Sequence, residues 1–340
     1  MLSCATLPSL ESLKFGFREP ETEDQRVLVN LEPLKELLRT PDLRFVGFSG
    51  FYFTNELCHA TANALEEGSS IPKIAFDRLC IFPDGGRAII AKALKTNAAI
   101  TDVEFYGECD EPLCDTLAVV LLCNSTLQDL TLRNLTLQDL TLRRPGENAG
   151  ARWLCPIFLS LGMNTTLKRL SVSILDKMED KLCAAIRNGL TKNSTLEDLS
   201  LHHVLPSDDD GTVSARNALS FLRTDSNLKS LTVSFALTER KSYALAFRLE
   251  AVKMMEENPF HESLTIITSN IEFEELFALV SALQLNTTLK TLNFQSSCFK
   301  NIYFTVNELN QLIRSSCKTT GWNVSCLVSL VQMMKQSRPF

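Results

Sequence analysis

Apolar residues recur along this chain in the pattern Asn-x-x-Leu-x-x-Leu-x-Leu. Residues 193–201, NSTLEDLSL, carry the pattern with Leu196, Leu199 and Leu201 at its three apolar positions. The last two positions are separated by one residue, as in a short strand that buries one face. Successive copies lie 24 to 40 residues apart. The other copies are marked by these apolar residues: Leu10/Leu13/Phe15, Leu43/Val46/Phe48, Phe76/Leu79/Ile81, Ile100/Val103/Phe105, Leu127/Leu130/Leu132, Leu167/Leu170/Val172, Leu228/Leu231/Val233, His261/Leu264/Ile266 and Leu289/Leu292/Phe294.

The stretches between the copies have helical periodicity. Residues 88–97, AIIAKALKTN, and residues 182–193, LCAAIRNGLTKN, place apolar side chains three and four positions apart and end on Asn. We expect these Asn residues to close the helices in the left-handed conformation, which a short polar side chain tolerates. Parallel strands need a crossover connection, so a strand, a loop and a helix in each repeat predict a parallel sheet. The pattern therefore predicts one α/β solenoid domain over residues 1–340, with about ten rungs.

One stretch resembles a known repeat family. Residues 84–105, DGGRAIIAKALKTNAAITDVEF, resemble the ribonuclease-inhibitor-like class of leucine-rich repeat, with units of about 28 residues. The chain is thus similar to the repeat region of NOD-like receptors. The resemblance implies a curved horseshoe with the parallel sheet on its concave face and the helices on its convex face. The chain departs from the family where the Asn or Cys expected three residues after the last apolar position is replaced by Glu108, Leu175, Val204, Ala236 and Ser269.

The two ends of the chain differ from its middle. We expect well-formed repeats over residues 76–300, degenerate and uncapped repeats over residues 1–75, and a C-terminal helical cap over residues 301–340. The first strand motif begins at Leu10 with no polar cap before it. A solenoid leaves its end rung open unless something covers it. This start therefore suggests a fragment, or a chain that packs its first rung against a partner.

An eight-residue duplication explains the longest spacing between copies. Residues 126–133 and 136–143 both read TLQDLTLR. Nothing between them is long enough to form a returning helix, so only one copy can be a rung and the other is an extra loop. The lengths of the flanking segments suit either choice.

Charge and composition exclude several classes of protein. The chain has 34 Lys and Arg against 40 Asp and Glu, a formal net charge of −6. Nucleic-acid binding through phosphates needs clustered Lys and Arg, which this balance disfavours. No apolar run reaches the roughly 20 residues of a membrane-spanning helix, and the first ten residues lack the basic start of a signal peptide. We expect a cytoplasmic protein with neither a nucleic-acid nor a membrane partner.

The cysteines fit the same compartment. Eleven Cys residues at irregular spacing predict free thiols rather than a disulfide framework. Cys114, Cys155 and Cys183 lie in apolar helical runs, where a thiol serves as a small buried side chain.

Residues between the leucines point outward on the predicted concave face, because strand side chains alternate. Most of these outward positions are small and polar. Aromatic and Arg residues are the usual anchors of protein interfaces. The candidate partner-binding residues are Phe82, Glu104, Tyr106, Arg133, Arg169 and His202. If the second TLQDLTLR copy forms the rung, Arg143 takes the place of Arg133.

No motif in the chain indicates catalysis, a metal or a cofactor. His202 and His203 are adjacent on a strand and face opposite ways, and residues 208–210, DDD, fit a loop. The spacing of Cys109, Cys114 and Cys123 lacks the partners of a zinc finger. No P-loop pattern occurs. Six Asn-x-Ser/Thr triplets begin at Asn124, Asn134, Asn164, Asn193, Asn286 and Asn323. The repeat itself explains most of them, although in a secreted protein they would be open to glycans.

These observations favour a non-enzymatic module that binds a protein partner through the concave sheet face. One alternative is a GTPase-activating protein of the Ran-regulator type, which uses the same repeat; that class favours a strongly acidic tail, whereas this chain ends in KQSRPF. Another alternative is a degenerate scaffold without a specific ligand.

Overall fold

The computed structural model describes residues 11–16, 36, 38, 42–67, 69–107, 109–133, 151–173, 180–204, 228–235, 262–268, 289–296 and 302–305. Strands alternate with helices over the first half of the chain, and the fold is α/β with parallel strands, as predicted. The chain divides into a first unit, Met1–Leu175 with Glu179–Glu197, and a second unit, Asp176–Met178 with Asp198–Phe340. A single domain over residues 1–340 stays a prediction.

The described strands of the first unit are parallel, and each pairs with the next in chain order. They are β1 (Ser12–Gly16), β2 (Phe45–Ser49), β3 (Lys73–Phe76), β4 (Asp102–Tyr106), β5 (Asp129–Arg133) and β6 (Arg169–Ser173). The same motif position lies side by side on neighbouring strands: Val46 pairs with Ile74, Ile74 with Val103, Val103 with Leu130, and Leu130 with Leu170. This register buries the apolar positions on one face and places the polar positions together on the other.

Helices follow the strands of the first unit. They are α1 (Asn55–Glu66), α2 (Gly86–Ala93), α3 (Glu111–Cys123), α4 (Cys155–Leu161) and α5 (Asp180–Lys192), with a 3₁₀ turn (Ala151–Leu154) before α4. Thr54 and Asp110 cap α1 and α3, since their side chains accept hydrogen bonds from the backbone N–H of Leu57 (3.2 Å) and Leu113 (2.9 Å). Successive helices contact each other and bury their apolar side chains in the core.

Phenylalanine rings form the core of the first four strands. Phe15, Phe48, Phe76 and Phe105 occupy the same motif position and stack nearly parallel, with ring centroids 5.7, 5.3 and 5.2 Å apart. Phe48, Phe76 and Phe105 are completely buried. Leu132 continues the row on β5, so the stack ends where the repeat returns to leucine.

Buried asparagines join each repeat to the one before it. The amides of Asn97, Asn124, Asn164 and Asn193 donate hydrogen bonds of 2.6–2.7 Å to a backbone carbonyl at the end of the preceding helix. The side-chain oxygen of Asn124 also accepts from the backbone N–H of the residues two and three further on, at 2.8 and 2.7 Å. The other three make the same pair of bonds. We name this set the Asn ladder.

The left-handed caps expected at Asn97 and Asn193 stay a prediction. Asn124, at the equivalent position of another repeat, ends α3 in an extended conformation (φ −82°, ψ 132°). The side chain fixes the turn through its hydrogen bonds instead, and the backbone needs no positive φ.

The third copy of the motif is also misplaced in the prediction. Ile74 and Phe76 face the apolar residues of β2 and β4, and Ile71 precedes them at the first motif position. The predicted marker Phe76/Leu79/Ile81 therefore starts five residues too late, and both Leu79 and Ile81 are exposed. With Ile71 as the marker, the spacings from Leu43 to Leu127 become 28, 29 and 27 residues. β3 crosses the predicted boundary between residues 75 and 76.

The first TLQDLTLR copy supplies a strand of the sheet. β5 belongs to residues 126–133 and pairs with both β4 and β6. The second copy lies outside the described residues.

Strands of the second unit repeat the same register. They are β7 (Asp198–Val204), β8 (Ser230–Phe235), β9 (Ser263–Thr268) and β10 (Thr291–Ser296), with β7 to β10 parallel, and β11 (Ile302–Thr305), which pairs antiparallel with β10. Leu199, Leu231, Leu264 and Leu292 lie in one row. The C-terminal cap predicted over residues 301–340 thus begins with a strand, and residues 306–340 lie outside the described residues.

Candidate functional site

Polar and aromatic side chains cover the outward face of the first unit's sheet. We call these residues the sheet face: Lys14, Phe45, Gly47, Lys73, Ala75, Asp102, Glu104, Tyr106, Asp129, Thr131, Arg133, Arg169 and Ser171. They fall into rows because the strands are in register. One row runs from Phe45 through Lys73, Asp102 and Asp129 to Arg169.

Lys73, Glu104 and Tyr106 form a connected group on β3 and β4. The Lys73 ammonium lies 2.6 Å from one Glu104 oxygen, and the Tyr106 hydroxyl donates to the other at 3.2 Å. Burial lowers the pKa of Lys73, but the hydrogen bond and the charge of Glu104 outweigh it and raise that pKa overall. Burial and the Glu104 charge raise the pKa of Tyr106. The tyrosine is therefore neutral and held in one orientation.

An aromatic ring lies on the same face beside this group. Phe45 is half-buried, and the ammonium groups of Lys14 and Lys73 approach its ring centroid at 5.7 and 5.9 Å. A Cβ atom at Gly47 would come within 2.9 Å of the Phe45 ring, so the glycine lets the ring lie flat on the sheet. The two cations favour this position through the electron-rich face of the ring.

A charged row follows on β4 to β6. The Arg169 guanidinium pairs with the Asp129 carboxylate through two nitrogens. Asp102 lies next to Asp129 on the neighbouring strand and accepts a 2.6 Å hydrogen bond from the Thr101 hydroxyl. Burial raises the pKa of Asp129, Arg169 opposes that rise, and the adjacent Asp102 adds to it.

Arg133 lies beside Tyr106, its register partner on β4. The Arg133 Nε donates to the Ser171 hydroxyl at 3.3 Å, which holds the guanidinium across β5 and β6. Thr131 and Ser171 next to it are small, so the tyrosine and the arginine are the largest side chains of this part of the face.

Four of the six predicted binding residues come together on the sheet face: Glu104, Tyr106, Arg133 and Arg169. His202 lies on β7 in the second unit and is half-buried. The prediction places His202 in one binding patch with the other five residues. His202 is not part of the sheet face described for the first unit.

Phe82 occupies a different environment from the one predicted. Its ring stacks on Phe53 with centroids 4.4 Å apart, meets Phe76 edge-on at 5.8 Å, and lies 4.6 Å from the Arg87 guanidinium. It therefore packs against the core in the loop between β3 and α2. The cause is the misplaced third motif, which assigned this loop to a strand.

The sequence reasoning missed Phe45, Lys73, Asp102 and Asp129. All four precede the second apolar position of a motif, as the predicted Arg169 does, and alternation along a strand places that position on the outward face. The signal was therefore present in the sequence. Lys73 was hidden in addition by the register error in the third copy.

The described cysteines are free thiols, in agreement with the prediction. Cys114 and Cys183 are buried as expected, whereas Cys155 is half-buried. Burial raises the pKa of Cys58 and of Cys80 to about 11, which disfavours the reactive thiolate. Among the described residues, no group of three or more His, Cys, Asp or Glu side chains is arranged to hold a metal ion.

Three of the Asn-x-Ser/Thr triplets begin at residues of the Asn ladder. Asn124, Asn164 and Asn193 are buried, and the amide of each donates to a backbone carbonyl of the preceding repeat. These positions therefore serve the repeat, as predicted, and the amide nitrogen that a glycan would modify is buried. The other three triplets lie outside the described residues.

A scan of the chain against protein-family models finds no match, and no curated protein matches it significantly. In the part of the chain that the structure describes, no helix is both long and apolar enough to cross a bilayer.

Proposed function

We propose that this chain is a non-enzymatic protein-binding module, and that a protein partner docks on the sheet face of the first unit. The observation that carries the proposal is the pairing of Tyr106 with Arg133 on adjacent strands, with Phe45 on the same face. Tyr and Arg are the residue types that most often dominate binding energy at protein interfaces. A rigid sheet presents them with little entropy left to lose on binding.

The charge arrangement supports the same function. Lys73 is paired with Glu104, and Asp129 with Arg169. Charges that already have partners cost less to bury under a docking protein than isolated ones. The polar face is therefore suited to being covered.

We further propose that the repeats form a ribonuclease-inhibitor-like leucine-rich-repeat solenoid of about ten rungs, curved so that the sheet face is concave. The common register of the described strands and the Asn ladder support this architecture. The free thiols suit the cytoplasm, where we place the protein.

The test is affinity capture from cell lysate with the intact chain and with a variant carrying Tyr106→Ala and Arg133→Ala. We expect the captured partner to be lost, because removing two interface anchors costs about 2 kcal/mol or more, on the order of 30-fold in Kd. The matched control carries His59→Ala and Lys181→Ala, which remove one aromatic ring and one cation from exposed positions on α1 and α5. Equal capture by all three proteins, each with the same melting temperature, would contradict the proposal.

A further inference from the structure

Exposed apolar side chains concentrate on two neighbouring helices, on the opposite layer from the sheet face. Val119 and Leu122 on α3 are 46% and 49% exposed, and Leu159 on α4 and Met163 just after it are 52% and 76% exposed. We name these four residues the helix patch. Soluble surfaces carry isolated apolar side chains routinely, but a contiguous group marks an interaction site.

The Asn ladder brings the C-terminal ends of α3 and α4 side by side. Asn164 donates to the carbonyl of Leu121 at 2.7 Å, which aligns the ends of α3 and α4. Val119 and Leu159 each lie five residues before their ladder asparagine, so they occupy equivalent positions on the two helices. Leu122 and Met163 lie within the last turn before theirs. The helix patch therefore follows the groove between α3 and α4.

Basic residues border the helix patch on both sides. Lys92 and Lys95 lie on or just after α2, and Arg187 and Lys192 lie on α5; all four are exposed. A Cβ atom at Gly162 would lie 3.2 Å from the Lys192 Cβ and 3.4 Å from its Cδ, so the lysine stem runs beside Gly162, the residue before Met163. No Asp or Glu occurs in residues 86–97, 116–124, 155–164 or 183–193, in a chain whose formal net charge is −6. The exposed Asp115 on α3, one turn before Val119, bounds the apolar strip at that end.

The width of the helix patch indicates the shape of its ligand. The positions equivalent to Val119 and Leu159 on the flanking helices are Lys92 and Asn188, both polar and exposed. The apolar strip is thus one groove wide, or about 10 Å, which is the diameter of one α-helix. A bilayer surface would favour apolar side chains spread across all four helices.

We propose that the helix patch is a docking groove for an acidic amphipathic helix of a partner protein. The apolar stripe of that helix packs on Val119, Leu159 and Met163. Its Asp and Glu residues, on both flanks of the stripe, meet Lys92 and Lys95 on one side and Arg187 and Lys192 on the other. A flexible methionine at the most exposed point adapts to different apolar side chains.

The test is a phage-display selection of random peptides of about 16 residues, roughly 24 Å long as a helix, on the full chain. We expect selected peptides with apolar residues at helical spacing and with Asp or Glu on both flanks. Synthetic versions should bind about 10-fold or more weakly to a variant carrying Leu159→Glu and Met163→Glu, since like charges then face each other. Adding salt should weaken binding to the intact chain.

Three comparison proteins make the result specific. Leu79→Glu with Ile81→Glu introduces the same charges at exposed apolar positions of the β3–α2 loop, and should bind like the intact chain. Lys92→Ala with Lys192→Ala should weaken binding while leaving the apolar strip intact. Tyr106→Ala with Arg133→Ala should bind normally, which separates this groove from the sheet face. Melting curves of every variant verify folding.

Selected peptides without acidic residues would overturn the proposal, as would equal binding to the Leu159→Glu, Met163→Glu variant. The chain is also mixed with vesicles of phosphatidylserine and phosphatidylcholine. Sedimentation with these vesicles that is lost in the Leu159→Glu, Met163→Glu variant, together with a selection that yields no peptide, would assign the helix patch to a membrane surface and contradict a helical ligand.

Discussion

At the scale of single residues, buried asparagines hydrogen-bond each repeat to the one before it. Asn124 bonds the carbonyls of Leu94 and Asn97 in the preceding repeat, at 2.6 and 2.9 Å, and the backbone N–H groups of Thr126 and Leu127 in its own. Buried leucines stabilise the fold, but hydrophobic contacts do not depend on direction. The buried amide determines how one repeat is placed on the next.

Asn124→Ala should therefore lower the free energy of unfolding by about 2–4 kcal/mol, because several buried backbone groups lose their hydrogen-bond partner at once. Chemical denaturation measures this loss. Ser125→Ala, at an exposed position in the same turn, is the matched control and should change stability by only a few tenths of a kcal/mol. Equal stability of the two variants would show that the ladder bonds contribute nothing.

The Lys73–Glu104 pair gives a second residue-scale prediction. The pKa of Lys73 is higher in the folded protein than in the unfolded chain. The charged lysine therefore stabilises the fold fully at pH values below its unfolded pKa. This stabilisation is lost as the pH rises through the folded pKa. Glu104→Gln removes the partner, so the pKa of Lys73 should fall, because burial, which lowers it, is then opposed mainly by the charge of Asp102. NMR titration of the lysine side chain measures it. A lysine pKa unchanged in this variant would mean that the ion pair does not form in solution.

Sequence reasoning at the residue scale succeeded where alternation was followed and failed where a contact crosses between repeats. Glu104, Tyr106 and Arg133 were placed on the outward face because they alternate with buried apolar residues. The bonds of Asn124 were not, since they join residues about 30 positions apart and a single sequence does not show that contact. At Asn124 these bonds fix the turn while the backbone stays extended.

At the scale of elements, α4 and α5 approach each other closely at Gly189. A Cβ atom at Gly189 would lie 2.0 Å from the backbone oxygen of Phe158. The two helices could not keep this distance with any other residue at position 189. The glycine in the helix, which costs helix propensity, is explained by this approach.

Gly189→Ala should destabilise the first unit by about 1–3 kcal/mol or more, because α5 must move away from a backbone atom that cannot rotate aside. Gly162→Ala is the comparison, since its new Cβ would lie 3.2 Å from the Lys192 Cβ and 3.5 Å from the Leu159 backbone oxygen, distances that a small shift accommodates. Thermal unfolding should show a clear fall in Tm for the first variant and little change for the second. The opposite order of Tm values would refute the packing between α4 and α5.

The misplaced third copy of the motif is an error in the position of a strand. Ile71/Ile74/Phe76 and Phe76/Leu79/Ile81 both satisfy the apolar spacing, so the pattern alone could not choose between them. Ring stacking decides: only the first register places Phe76 between Phe48 and Phe105. Similarly, either TLQDLTLR copy suited the lengths, and pairing with β4 and β6 identifies the first.

At the scale of the whole molecule, repetition produces two different surfaces from the same unit. In the first unit, the outward strand positions build the sheet face, and the outward helix positions build the helix patch with its basic border. Repetition was readable from the sequence because the periodic apolar residues record it. The residues that form each surface could be predicted only in part from the sequence, because each surface depends on which residues of successive repeats become neighbours.

Site-specific photo-cross-linking tests the central claim most directly, with benzoylphenylalanine placed at position 106 in one protein and at position 59 in another. Both sites carry an aromatic ring, Tyr106 on the sheet face and His59 at an exposed position of α1. We predict that the partner recovered by affinity capture cross-links from position 106 and not from position 59. Cross-linking to that partner from position 59 alone, or equally from both, would contradict binding at the sheet face.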